Sequence, residues 1–247
     1  MRSQAPGDSG DDRDAKLNSN PEVKRMKFSR KRIFLFALCL GVTTVAAAQF
    51  GHQGPQRPQI PTPFTPVVGS GAQYEVTTKD GKMSFTYAVV GKEQVDGDDG
   101  YWLEIRSEGG KLDGEMIMKE LTIVNGEHPE IKRMIMQPPG SHPMEMPAGM
   151  MGMMKQHMAQ AGTPRKDSMG EKIGTESITV PAGTFECDHY RRQENSKTVD
   201  YWISSKVPPY SLVKMSGPDT SMVLEKVLTG ETTHIKGEPQ KMEMPHF

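Results

Sequence analysis

The chain alternates between apolar and polar residues from about residue 73 onward. Met83, Phe85, Tyr87 and Val89 stand two apart, separated by Ser84, Thr86 and Ala88, which is the period of an extended strand with one face against a core. Gln73 to Lys79 precedes this run across Asp80-Gly81, a hairpin signal, and Tyr101 to Ser107 follows it after Asp96-Gly97-Asp98-Asp99-Gly100. Glu115 to Val124 and Glu130 to Met136 predict two further strands around Asn125-Gly126.

A second block of the same kind begins at Lys172. Glu176 to Val180 and Phe185 to Arg191 flank Pro181-Ala182-Gly183-Thr184, in which proline presets a turn dihedral and glycine eases the exit. Thr198 to Ser204, Ser211 to Ser216 and Ser221 to Gly230 complete the pattern. The expected fold is mainly β (α+β): a curved antiparallel sheet or incomplete barrel of about ten strands.

The alternation breaks between the blocks. From Met134 to Met158 the chain is dominated by methionine, proline and glycine, with Glu145 as its one acidic residue. Met134 and Met136 finish a strand, whereas Pro138, Pro139, Pro143 and Pro147 exclude regular structure. Met150 to Met158 predicts one short Met-rich helix, a plug or lid, within an insertion spanning 137–169. On such a helix Met150, Met154 and Met158 align one turn apart, and Met153 reaches His157.

Two chemistries fit this segment. Methionine is flexible and polarizable and suits adaptable apolar surfaces. The first expectation is therefore an envelope protein that binds a lipid or other hydrophobic ligand in a concave groove of the sheet, with Met150, Met151, Met154 and Met158 as contacts, and a metal site is the alternative. Thioether sulfur is also a soft donor for Cu(I) or Ag(I), and Met144, Met146, Met153 and His157 are the candidate ligands, with no other cofactor expected. A second M-x-M, Met242-Glu243-Met244, lies near the end with His246. A third reading is a structural envelope module that meets a protein partner through a sheet edge or an apolar flap.

The N-terminal region gives an address. Lys24, Arg25, Lys27, Arg30, Lys31 and Arg32 precede an apolar run from Ile33 to Val45 that ends in Ala46-Ala47-Ala48, the layout of a secretory signal peptide cleaved near Ala48. The expected organisation is an extension over 1–25 (Met26 is an alternative start), a signal peptide over 26–48, a Pro-rich linker over 49–71, a β-rich domain over 72–230 and a flexible tail over 231–247. The run is too short for a permanent transmembrane span, so the product is expected in the periplasm or outside the cell.

Charge and cysteine content narrow the function. Without residues 1–48 the chain keeps 21 basic against 26 acidic residues, a net of −5, so it lacks the clustered positive charge with which proteins meet nucleic acid. Cys187 is then its single cysteine, a buried small hydrophobe with no disulfide partner. The acidic loop from Asp96 to Gly100 lacks the later glutamate of a calcium loop and reads as a turn. No nucleophile elbow, zinc-protease helix, P-loop or dinucleotide fingerprint occurs. Asp188 and His189, adjacent on one strand, point to opposite faces, which leaves no catalytic pair and predicts a non-enzymatic protein.

The second block carries Gly174-x-Glu176-x-Ile178-x-Val180-Pro181-Ala182-Gly183-Thr184-Phe185-x-Cys187, then Asp200-Tyr201-Trp202-Ile203-Ser204, Val207-Pro208 and Leu212-Val213-Lys214. Over about residues 72–230 this resembles bacterial periplasmic proteins of the domain-of-unknown-function type. Those proteins look like the lipoprotein-carrier superfamily of LolA and LolB. The resemblance implies a curved antiparallel sheet covered by short helices, with room for acyl chains.

Overall fold

The computed structural model describes residues 60–125, 128–153, 169–194 and 196–242, all within one unit, Gln53–Phe247. Ten strands of five or more residues form: β1 (Ser70–Thr78), β2 (Gly81–Val95), β3 (Asp98–Gly109), β4 (Met116–Asn125), β5 (His128–Gln137), β7 (Glu171–Val180), β8 (Gly183–Glu194), β9 (Lys197–Ile203), β10 (Leu212–Ser216) and β11 (Thr220–Thr229). Two short ones, β6 (Met144–Glu145) and β12 (Gln240–Lys241), complete a single open sheet in the order β12-β6-β5-β4-β3-β2-β1-β11-β10-β9-β8-β7. All pairings are antiparallel except β12 with β6. The sheet is curved and unclosed, an incomplete barrel, and the described residues contain almost no helix.

The turns follow the local chemistry. Asp96 and Gly97 both take positive φ, at 55° and 90°, so they form a two-residue connection whose twist matches that of the strands. Asp98 and Asp99 therefore already belong to β3, paired with Val95 and Gln94, and the sequence loop shrinks to its first two residues. At the start of the sheet Gly71 faces the Tyr87 carbonyl so closely that a Cβ would sit 2.7 Å from its oxygen, and only glycine fits there.

The two sequence blocks join laterally through β1 and β11, paired from Ser70 with Thr229 to Thr78 with Thr220. Across this seam lies the main core: Tyr74, Val76, Phe85, Tyr87, Leu103 and Ile105 meet Tyr201, Leu212, Met222 and Leu224. Each such side chain removed from water contributes about 1.5–3 kcal/mol. The Tyr74 hydroxyl, deep in that core, donates to the Leu212 carbonyl at 2.9 Å. A second cluster forms on the opposite face from Trp102, Leu121 and Ile135, with Ile235 against it.

Two segments differ from the sequence expectation. The end of the Pro-rich linker is packed: Ile60 and Phe64 lie against the core, the Thr65 N–H donates to the Pro209 carbonyl at 2.8 Å, and the Thr62 hydroxyl donates to the Tyr210 carbonyl. The expected flexible tail from Glu231 instead docks over residues 231–242, through hydrogen bonds described below. Both segments are mostly polar or proline-rich, so their hold on the sheet comes from partners distant in sequence.

Candidate functional site

Consecutive strands place methionines on one face at one end of the sheet. Met118 pairs with Met136 across β4 and β5, and Met136 pairs with Met144 across β5 and β6. One rung along, Glu120 pairs with Met134, and the Met146 N–H donates to the Met134 carbonyl at 2.9 Å. Directly paired residues share a face, and alternate residues of a strand return to it. Met118, Met134, Met136, Met144 and Met146 therefore line a single surface. It continues the main core, because Ile105 pairs with Met118 and Leu103 with Glu120.

The centre of this surface is a near-rectangle. Two M-x-M segments, Met134-Ile135-Met136 and Met144-Glu145-Met146, run antiparallel with Met136 opposite Met144 and Met134 opposite Met146. Paired Cβ atoms in such a ladder lie about 4.5–5.5 Å apart, and next-but-one residues of a strand about 6.6 Å apart. Four unbranched side chains leave those corners on the same side of the sheet. Met134 is buried and the other three corners are half-buried. Glu120, also buried, stands beside Met134 on the same rung.

The intervening residues Ile135 and Glu145 face the other way. There Glu145 accepts from the Arg133 Nε at 2.7 Å. The guanidinium of Arg133 and the ammonium of Lys119 lie over the Trp102 ring, 5.2 and 4.8 Å from its centroid. Burial beside Arg133 holds the Lys119 ammonium below its ordinary value.

The other candidates fall as follows. A helical stretch covers 148–153, with the Met151 N–H donating to the Pro147 carbonyl at 3.0 Å. Met151 is buried, Met150 half-buried, and Met153 is 54% exposed. Met154, His157 and Met158 lie outside the described residues. The sequence marks Met144 and Met146 as candidate ligands and Met134 and Met136 only as a strand end, and it gives Met118 no role. The signal was present in the M-x-M segments at Met116, Met134 and Met144, whose spacing marks one strand face each.

A polar cluster around His189 occupies the far end of the sheet. His189 meets Glu176 through Nδ1 at 2.8 Å and Asp200 through Nε2 at 2.9 Å. Its ring stacks on Trp202 with centroids 4.4 Å apart. Asp188 turns away to Lys172 and Thr175. Burial would raise the Asp200 carboxyl, but hydrogen bonds from Arg191 and His189 outweigh it and hold it below the ordinary carboxylate value. A shallow depression of 430 Å³ near the seam is lined by Tyr74, Glu75, Lys82, Met83, Glu108 and Glu225 among others. Among the described residues no group of three or more His, Cys, Asp or Glu could hold a metal ion, and no helix is long and apolar enough to cross a membrane.

No family model matches the chain, and no curated protein matches it. Among solved structures, it is similar to one from Bacteroides fragilis described as a "putative exported protein with YMCC-like fold", at 14% identity over 67% of this chain and 99% of that one, with a TM-score of 0.32. A "putative lipoprotein" from Parabacteroides distasonis matches at 15% identity over 66% of this chain and 97% of that one, also with a TM-score of 0.32. A TM-score of that size does not establish a shared fold.

Proposed function

We propose that this is an exported, non-enzymatic envelope protein that binds a soft monovalent cation, Cu(I) or Ag(I), on the methionine face of β4, β5 and β6. The observation that carries the reading is the register that sets Met134-x-Met136 against Met144-x-Met146. Thioethers are soft donors matched to Cu(I), and unlike thiols they cannot be lost to disulfides. They also carry no proton. Metal binding that depends on His or Cys weakens as those ligands protonate, whereas a thioether site keeps its affinity in acid.

The second reading is a hydrophobic ligand, such as a lipid acyl chain, on the same face. It is favoured by the half-buried, apolar character of Met136, Met144 and Met146 and by the resemblance to lipoprotein carriers. Methionine surfaces adapt to apolar ligands as readily as to soft metals.

Met→Leu substitution separates the two, because it removes the sulfur while keeping apolar volume, at a stability cost usually below about 1.5 kcal/mol. The test is Cu(I) titration against a competing chelator, with lipid mass spectrometry of organic extracts. One tightly held Cu(I) per chain, retained from about pH 7 to pH 5 and abolished by Met136→Leu with Met144→Leu, is expected. Co-purifying lipid that survives those substitutions, without Cu(I) affinity, would replace the metal reading with the hydrophobic one.

A further inference from the structure

We infer that the C-terminal segment belongs to the methionine site: Met242 is its outermost thioether, and Glu104 is the positioning residue that holds the segment in place. The inference rests on the soft-metal reading for its ligand, but its geometry is independent of that reading.

The segment leaves β11 and crosses the face opposite the methionines. Its anchor is Glu104, at 0% exposure. The Thr233 hydroxyl donates to one carboxylate oxygen of Glu104 at 2.6 Å, and the main-chain N–H of His234 donates to both, at 3.0 and 3.1 Å. Arg106 reaches Glu104 at 3.4 Å and binds Glu231 at 2.7 Å. A carboxylate removed from water is tolerated only with such partners, and two of these donors, like the Glu231 ion pair, come from the segment itself. The buried charge therefore makes docking strongly preferred.

Beyond the anchor, Ile235 packs against the cluster of Trp102, Leu121 and Ile135, and the Lys236 N–H donates to Gln137 Oε1 at 3.0 Å. The chain then joins the sheet edge. Gln240 pairs with Met144 and Lys241 with Glu145 in parallel register, and the Met242 N–H donates to the Glu145 carbonyl at 3.1 Å. One more step of that register sets Met242 beside Met146 and on its face. The rung then reads Glu120, Met134, Met146, Met242.

The experiment is NMR of the full chain with 13C-labelled methionine methyls, titrated with Ag(I), which is redox-inert under these conditions. The Met242 methyl is expected to shift together with those of Met134 and Met146, while that of Met83, on β2, stays still. Met242→Leu and Glu104→Gln should each weaken Ag(I) binding, the latter about ten- to a hundredfold, as loss of residues that orient ligands does. In Glu104→Gln the Met242 methyl should no longer respond although Met134 and Met146 still do; Thr233→Ala, a milder change, should give the same pattern in smaller degree. If Met134 and Met146 shift in the parent protein and Met242 does not, the inference is overturned while the soft-metal reading stands. If none of them shifts, the soft-metal reading fails and Met242 loses its role with it. Variants that lose thermal stability but keep affinity and the Met242 response would reduce Glu104 to a purely structural residue.

Discussion

Cys187 has no exposed surface, and its thiol points to the Phe185 carbonyl 3.5 Å away. Burial, with a smaller push from Glu186, Glu176 and Asp188, raises it from 9.0 to about 11. The thiolate is the reactive form, so native protein at pH 8 is expected to label with a disulfide reagent far more slowly than the same protein in urea; equal rates would place the thiol in solvent. The linkage has a definite sign. Between pH 9.0 and about 11 the unfolded thiol ionises while the native one stays protonated, so this contribution is whole below pH 9 and is lost as the pH rises. At this scale the sequence was readable where one strand's alternation decides the matter, as for Cys187 and for the opposed directions of Asp188 and His189. It was silent on Asp200 as the partner of His189, because that contact crosses from β8 to β9.

Elements show the same division more sharply. Asp96-Gly97 and Asp80-Gly81 announced their hairpins through the conformations those residues permit. The prolines from Pro138 to Pro147 lead the sequence to exclude regular structure there, but a two-residue strand, β6, forms between Pro143 and Pro147 because β5 offers it an open edge at Ile135 and Met136. What one strand cannot reveal is its register against the next, which here turns scattered M-x-M segments into a surface. The docked stretch 231–242 was hidden for a related reason: its hold depends on a buried charge far upstream. Arg106 bridges Glu104 and Glu231, and removing it leaves both carboxylates without that cation. Arg106→Ala is therefore expected to destabilise the protein by about 3–5 kcal/mol, measured as a fall in the urea midpoint. A change within about 0.5 kcal/mol, the usual size for surface substitutions, would show that Glu104 finds other partners.

At the scale of the molecule, the mainly β class and the ten long strands were legible because each strand carries its own period-2 signature. The order was not, because β1 meets β11 and β6, one strand in from the β12 border, is far across the sheet from β7, its successor in sequence. Pairing Ser70 with Thr229 closes nearly the whole described chain into one loop, and non-local pairing of this kind slows folding. Refolding from urea is expected on the millisecond-to-second scale, followed by the fluorescence of Trp102 and Trp202, one in each block. Microsecond folding would contradict the β1–β11 seam.

An open sheet also has two unpaired borders, which in other proteins serve as templates for fibre growth. Here one border is β12, only two residues long. The other is β7, whose pairing slips between Lys172 and Gly174 and whose outer residues include Glu171, Lys172 and Glu176. The border at β12 is stepped, since β6 covers only Ile135 and Met136 of β5, and the border at β7 is irregular and charged, so neither offers a neighbouring copy one continuous regular edge. The same irregularity that marks β7 as the last strand thus acts against filament formation in a protein that never closes its barrel.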